Sequence, residues 1–187
     1  MNEFLKEGEQ TKVTNEVIRV VKSIGGEGLD FVFKALKWEH KNLKNKLPEN
    51  IEKNDIFRKR TAAEIIKDGY ASGCTDFALV FIVLARTKGI PTKYVEVIAK
   101  SYFEDNNPNE VRGHVFAECY LNGEWVVVNP MSGDIKTSTE YSGYVVYAKG
   151  LDSWDLGIND IKSLREKFID FTKKYKVKNK LDSLPSS

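Results

Sequence analysis

The stretch that decides the fold is residues 69–91, which read GYASGCTDFALVFIVLARTKGIP. Its centre, residues 78–85, is apolar on every side, which is typical of a helix that is buried all round. Basic residues followed by Gly89 and Pro91 are typical of a helix C-terminus. The stretch therefore predicts a buried helix over about residues 74–88, with the rest of the fold packed around it.

Cys74 stands at the start of this predicted helix. The positive end of the helix dipole lowers the pKa of a thiol placed there and favours the thiolate. The preceding small residues, including Gly73, leave room for a substrate backbone. Tyr70 is a candidate for lining the site or for donating a hydrogen bond to an oxyanion, beside the backbone N–H of Cys74. Asp76 is expected to be a dipole partner or a cap of the first turn, and not an acid catalyst. The alternative for Cys74 is a buried cysteine without chemistry.

Composition limits the class of protein. The 187 residues are 41% hydrophobic and 30% charged, which suits one globular domain, predicted over residues 1–175 with a mobile tail at 176–187. The net charge of +2 argues against a nucleic-acid surface. Residues 1–10 lack the apolar region of a secretory signal, and no run is long enough to span a membrane, so a cytoplasmic location with free thiols is expected.

Periodicity predicts helices before the Cys74 helix and strands after it. The predicted elements are helices over 14–24, 29–43 and 61–68, strands over 93–99, 112–121 and 124–129, a further strand near 144–147, and a last helix over 158–175. Asn122-Gly123 is a strong signal for a two-residue hairpin turn. This order of elements predicts an α+β fold in which the Cys74 helix packs on an antiparallel sheet.

Cysteine catalysis needs a thiolate, an imidazole to activate it, and a third group to orient that imidazole. His114 and Asn129 lie on the two strands of the predicted hairpin. If the turn pairs Leu121 with Glu124, His114 falls one diagonal step from Asn129, on the same face. Cys74, His114 and Asn129 are therefore the predicted catalytic residues. Asn129 precedes a proline, and a simple turn-forming role stays open for it.

Other chemistry-bearing residues have more ordinary interpretations. Trp125 shares the face of Asn129 and is expected to pack beside the site, whereas Cys119 faces away from His114 and is expected to be buried. His40 is expected to be solvated on a polar helix face, and the segment 151–155 either covers the cleft or places its tryptophan in the core. The two histidines and two cysteines are too far apart to predict a metal site, and no cofactor is expected.

Four blocks of sequence resemble the core of the transglutaminase-like superfamily. They are GCTDFA at 73–78, LARTKGIP at 84–91, GHVFAE at 113–118 and GEWVVVNP at 123–130, within a resemblance that covers about residues 61–133. The resemblance implies a papain-like α+β fold with Cys74 as nucleophile, His114 as base and Asn129 as the third member. That family usually has Asp at the position of Asn129, although papain-like enzymes use Asn.

The function implied by the resemblance is cysteine-dependent processing of an amide through a thioester on Cys74, by acyl transfer or by hydrolysis. The expected substrate is a protein or peptide, with no nucleic-acid or membrane partner. The alternative is a catalytically inactive member that serves as a peptide-binding or interaction module, which the neutral Asn129 favours. The substrate and the oligomeric state stay open.

Overall fold

Helices surround one buried helix in the first half of the chain. The computed structural model describes residues 2–104, 110–136 and 141–182. After a 3₁₀ turn at Asn2–Leu5, its α-helices are α1 (Asn15–Ile24), α2 (Gly28–Asn42), α3 (Lys53–Ile56), α4 (Ala62–Asp68), α5 (Cys74–Thr87), α6 (Lys100–Glu104) and α7 (Ile161–Asp182). Helix α5 begins at Cys74, as predicted, and every residue between its two ends is buried. Helices α1, α2 and α4 pack against it.

The strands form one antiparallel sheet on the other side of α5. They are β1 (Thr92–Ala99), β2 (Gly113–Leu121), β3 (Glu124–Asn129), β4 (Asp134–Lys136) and β5 (Tyr144–Gly150). Their order in the sheet is β4-β3-β2-β1-β5, and α5 packs on β1 and β2. The predicted α+β class and the three central strands are therefore confirmed. Strand β4, of three residues, was too short to predict from alternation.

The hairpin between β2 and β3 has the predicted register. Asn122 and Gly123 have φ angles of 51° and 93°, as a type I′ turn requires, and Leu121 pairs with Glu124. This pairing fixes the rest of the ladder, including Ala117 opposite Val128. The end of β3 therefore lies beside the beginning of β2.

The remaining helices agree with the prediction in part. Thr61 and Glu64 have the S/T-x-x-E spacing that predicts a capping box, and both of its bonds form: Thr61 Oγ1 accepts from the Glu64 N–H at 3.3 Å, and the Glu64 carboxylate accepts from the Thr61 N–H at 2.7 Å. Helices α3 and α6 are one turn long and showed no periodicity. Helix α7 runs to Asp182, past the predicted end at residue 175. The sequence also predicts a polar loop over 104–110, and most of it, residues 105–109, lies outside the described residues. The end of the predicted tail, residues 183–187, lies outside them as well.

Glu39 is buried although it adjoins charged residues in the sequence of α2. Its side chain is 0% exposed, and neither carboxyl oxygen has a well-formed hydrogen bond within the described residues. Burial raises the pKa of this carboxyl well above its ordinary value of 4.5, and the backbone of Phe81 in α5 only partly opposes the shift. The folded protein therefore favours the protonated form of Glu39.

A raised carboxyl pKa makes stability fall as pH rises. Above pH 4.5 the unfolded chain loses the Glu39 proton and the folded protein keeps it, so unfolding becomes easier by about 1.4 kcal/mol per pH unit until the folded pKa is reached. We expect Glu39→Gln to remove this slope in urea unfolding measured from pH 4.5 to 8. Glu124→Gln, at an exposed site of β3, is the control. Parallel pH dependences for wild type and Glu39→Gln would contradict the prediction.

Candidate active site

The structure brings Cys74, His114 and Asn129 together at one end of the sheet. His114 Nε2 lies 2.9 Å from Asn129 Oδ1, so the ring donates to the amide oxygen. This bond leaves Nδ1 as the ring nitrogen available to Cys74, and Cys74 and His114 lie close enough for each to shift the pKa of the other. The backbone explains the meeting: Cys74 begins α5, His114 lies at the start of β2, and Asn129 ends β3.

Two aromatic rings hold the imidazole of His114 in place. Phe116 meets it edge-on, with ring centroids 4.7 Å apart, and Tyr144 of β5 lies 6.0 Å away. Phe116 shares the face of His114 because side chains two residues apart on a strand point the same way. The ring therefore has contacts from two strands besides its hydrogen bonds.

The pKa values of Cys74 and His114 are shifted toward an ion pair. Burial alone would raise the pKa of the Cys74 thiol, but the hydrogen bond and charge of His114 outweigh it, and the net pKa is lowered. Burial alone would lower the pKa of His114, but the bonds to Cys74 and Asn129 reverse the sign, and its pKa is raised. Thiolate and imidazolium thus stabilise each other.

Cys119 has the opposite environment. It is fully buried in β2, 3.6 Å from the Thr92 hydroxyl, and burial raises its pKa to about 12. Both cysteines are free, as predicted.

We therefore expect Cys74 to react with iodoacetamide at least about 100-fold faster than Cys119 at pH 6.5, because the thiolate is the reactive form. Mass mapping of both cysteines over a time course measures the ratio. The control is the urea-unfolded protein, in which the two rates should converge. Equal rates in the native protein would count against a special environment at Cys74.

A buried ion pair beside Cys74 was not predicted from the sequence. Arg58 and Glu96 are 3% and 1% exposed, and both guanidinium Nη atoms bond the carboxylate. Glu96 also accepts hydrogen bonds from the hydroxyls of Tyr94 at 2.6 Å and Tyr147 at 3.0 Å. An acidic residue with apolar residues directly on both sides, Val95 and Val97, was the available signal for Glu96.

Arg58 is also unusual in its backbone. Its φ of 60° lies in the left-handed region, which costs a residue other than glycine on the order of 1 kcal/mol. Its carbonyl oxygen accepts from Trp154 Nε1 at 2.7 Å, and its Nη1 donates to Ser153 Oγ at 3.0 Å. The segment 151–155 thus supports Arg58 and does not line the cavity at Cys74. Trp154 is half-buried and is not part of the hydrophobic core, so neither of the two predicted roles of this segment is met.

The loop before Cys74 is held by Asp76. The Asp76 carboxylate accepts from the Ser72 N–H and hydroxyl, both at 2.7 Å, and pairs with Arg60 at 2.5 Å. Asp76 lies in the first turn of α5, as predicted for a dipole partner, but it does not cap the helix: its carboxylate bonds Ser72, which precedes the helix, and the N-cap has no side-chain hydrogen bond. Gly73 is the residue before α5, with a φ of 148° that favours glycine. Tyr70 points elsewhere: its ring lies 4.6 Å below the Arg60 guanidinium, and it does not line the cavity at Cys74.

The structure does not bring Trp125 to the other predicted site residues. Its ring contacts Tyr120 at 5.3 Å and Phe4 at 5.8 Å, and Lys93 Nζ lies 3.4 Å from its centroid. Trp125 has the predicted face but lies four residues from Asn129, and a strand rises by about 3.3 Å per residue. It therefore packs near the turn of the hairpin.

His40 differs from the prediction that it is simply solvated. Its side chain is exposed, yet Nε2 donates to the Pro130 carbonyl at 2.8 Å. The ring also lies 5.7 Å from that of Phe77, one turn after Cys74 in α5. His40 thus connects α2 to the turn that follows Asn129 and to the helix that carries Cys74.

A cavity of about 380 Å³ opens beside Cys74 and His114. Helices α3 and α7 form part of its wall, and the Arg58–Glu96 pair forms another part. Among the described residues, no group of three or more His, Cys, Asp or Glu side chains is placed to hold a metal ion. No helix in the described ranges is long and apolar enough to cross a membrane.

The sequence matches the model of one protein family. The model of the transglutaminase-like superfamily matches residues 20–130, more than half of the chain. The chain belongs to this superfamily. The match ends one residue after Asn129 and includes Cys74 and His114. No curated protein matches the sequence.

One solved structure supports the fold. A Cytophaga hutchinsonii protein that has been provisionally classed as a cysteine protease superposes with a TM-score of 0.59 and is 19% identical. The match covers 83% of this transglutaminase-like chain and 48% of that protein, so the chain spans about half the length of this neighbour. A second match, to a structure of a TGase, has a TM-score of 0.43 at 16% identity and covers 71% of this chain and 37% of the other.

Proposed function

We propose that this protein is a cysteine-dependent enzyme that processes an amide of a protein or peptide through a thioester on Cys74. The superfamily to which it belongs contains cysteine-dependent enzymes. The observation that carries the proposal is the pairing of His114 Nε2 with Asn129 Oδ1 at 2.9 Å, which leaves Nδ1 for Cys74.

In the first half of the proposed reaction, the Cys74 thiolate attacks the carbonyl carbon of the amide. Backbone N–H groups in the first turn of α5 lack partners within the helix, and that of Cys74 is the proposed donor to the oxyanion. The C–N bond then breaks, the imidazolium of His114 gives its proton to the leaving amine, and a thioester remains on Cys74.

In the second half, His114 takes a proton from water or from an acceptor amine, which attacks the thioester and releases the Cys74 thiolate. Water gives hydrolysis, and an amine gives acyl transfer. Asn129 is proposed to keep the imidazole in one tautomer and one orientation throughout. A cytoplasmic location stays a prediction.

The test is formation of an acyl adduct. The protein is incubated with N-acetyl-phenylalanine p-nitrophenyl ester, and intact mass together with peptide mapping identifies the acylated residue. We expect one acetyl-phenylalanyl group on Cys74, release of nitrophenolate, no adduct in Cys74→Ala, and a normal adduct in Cys119→Ala. Absence of both an adduct on Cys74 and any Cys74-dependent release of nitrophenolate would favour the alternative of an inactive interaction module, for which the neutral Asn129 is the one supporting feature.

Substitutions of Asn129 test whether this residue orients the His114 ring or only forms a turn. We expect Asn129→Ala to slow acylation at least about 10-fold, because the ring loses its orienting acceptor. Asn129→Asp should keep activity, and its carboxylate should raise the pKa of His114 and move the alkaline limb of the pH profile upward. A pH series of acylation rates on the three proteins measures both effects. If Asn129→Ala reacts at the wild-type rate across the series, Asn129 is only a turn residue.

A further inference from the structure

The cavity beside Cys74 has an apolar wall that the proposed reaction does not itself require. Its lining includes six apolar side chains, from the segment before Arg58, from β2 and the residues before it, and from α7: Phe57, Val111, Val115, Ile161, Leu164 and Phe168. Its volume of about 380 Å³ lies within the range of small-ligand sites, about 300–1,000 Å³. Apolar walls of this kind receive apolar groups because burial removes both surfaces from water.

Helix α7 is fixed over the cavity by aromatic contacts. The ring of Phe168 lies edge-on to Tyr102 and to Tyr147, with both centroid distances 5.3 Å. Gly113 makes this position possible, since a Cβ at that residue would lie 2.6 Å from the tip of the Phe168 ring. Gly113 directly precedes His114, so the glycine lets an apolar ring from α7 reach the edge of the site.

The charges around the cavity disfavour a cationic occupant. Lys53 lies on the lining from α3, and Arg58 lies beneath. Glu96 is the one acidic residue among the described lining residues, and its carboxylate is already occupied by Arg58 and two tyrosine hydroxyls. An entering lysine or arginine side chain would lose hydration and meet positive charge without a free carboxylate.

We propose that this cavity receives the side chain of the acyl-donor residue and selects large apolar side chains over small ones and over lysine or arginine. The proposal rests on the proposed function, because it assumes that the acyl group is attacked by Cys74. It assigns a role in substrate selection to Phe57 and to α7. The superfamily match ends at residue 130, so α7 lies outside it.

The test compares a set of N-acetyl-aminoacyl chloromethyl ketones with iodoacetamide. Each ketone alkylates the Cys74 sulfur with loss of chloride, and the side chain is phenylalanine, leucine, glycine or lysine. Iodoacetamide carries no side chain and reports the thiolate alone. We expect the phenylalanine and leucine probes to react at least about 10-fold faster than the glycine probe, each rate divided by the iodoacetamide rate. The lysine probe should show no such advantage.

Three variants test whether the residues that line the cavity set the side-chain preference. Ile161→Trp fills space at a half-buried position of the lining and should cut the phenylalanine-to-iodoacetamide ratio about 10-fold. Lys53→Glu should raise the lysine ratio severalfold at low salt, where surface charges are least screened. Ile169→Ser is the matched control, because Ile169 is also on α7 but is 37% exposed and does not line the cavity. Circular dichroism confirms that each variant is folded.

The outcomes distinguish the two proposals. If iodoacetamide modifies Cys74 and all four ketones have the same ratio, the selection proposal is overturned and the nucleophile stands. If Ile161→Trp and Ile169→Ser behave alike, the cavity is not the place of selection. If neither iodoacetamide nor any ketone modifies Cys74, both proposals fail.

Discussion

Replacing His114 with alanine is expected to slow alkylation of Cys74 at pH 6 by on the order of 100-fold. In the native protein the hydrogen bond and charge of His114 are the largest influences that lower the pKa of the Cys74 thiol. Without them burial remains, and burial raises that pKa above its ordinary value of 9.0. The thiolate fraction at pH 6 should therefore collapse.

The same substitution removes the proton carrier of the proposed reaction. General acid and base groups contribute about 10²–10⁴-fold to rate. Acylation by the nitrophenyl ester should therefore fall by at least about 100-fold. The pH dependence of alkylation reports the loss of thiolate separately from the loss of the proton carrier. Wild type should be alkylated as soon as pH exceeds the lowered pKa of Cys74, whereas His114→Ala should gain reactivity only as pH rises toward the pKa of a thiol that lacks the imidazole.

The measurement is a pH series of iodoacetamide rates from pH 5 to 10, with mass mapping of Cys74. Tyr120→Ala is the matched control, because Tyr120 lies on β2 with the same face as His114 but contacts Trp125 near the hairpin turn. Rates in urea should be equal for all three proteins. A wild-type profile in His114→Ala would mean that the imidazole does not act on the thiol.

Replacing Arg58 with methionine is expected to destabilise the fold by about 3–5 kcal/mol. The substitution leaves the Glu96 carboxylate 1% exposed and without its cation, with only the Tyr94 and Tyr147 hydroxyls as partners. The loss of the Nη1 bond to Ser153 adds to the cost. Urea unfolding of wild type and variant measures the difference.

The double variant Arg58→Met with Glu96→Leu should recover most of that loss. Replacement of both partners leaves no buried charge unpaired, and an apolar pair of similar volume is often as stable as the ion pair. Arg19→Met, at an exposed position of α1, should change stability by no more than about 0.5 kcal/mol. A double variant as unstable as Arg58→Met would show that the loss comes from packing or from the Arg58 backbone.

The ion pair also connects stability to the site. The charge of Arg58 lowers the pKa of Cys74, and the charge of Glu96 raises it. In the double variant the two effects are removed together, so the reactivity of Cys74 should stay nearer to wild type than in either single variant. The iodoacetamide pH series on the same proteins measures this.

The meeting of His114 and Asn129 could be predicted because a two-residue turn leaves no freedom in register. Once Asn122-Gly123 is the turn, every pair along β2 and β3 follows. The position of Trp125 could not be judged as well, because alternation gives the face of a residue but not its distance from a site. Tyr70 is only four residues from Cys74, yet the loop held by Asp76 turns its ring toward Arg60.

The sequence by itself determined the buried helix that begins at Cys74, the helix-to-strand order, and the hairpin register that places His114 near Asn129, because these depend on local periodicity and turn chemistry. Only the tertiary structure decided that Arg58 pairs with Glu96 across 38 residues, that His40 reaches Pro130, and that α7 covers the cavity at Cys74. The physical reason is that a polar side chain can be buried wherever a distant partner satisfies it. A one-dimensional pattern records where the polar side chain is, but not which partner the fold will bring to it.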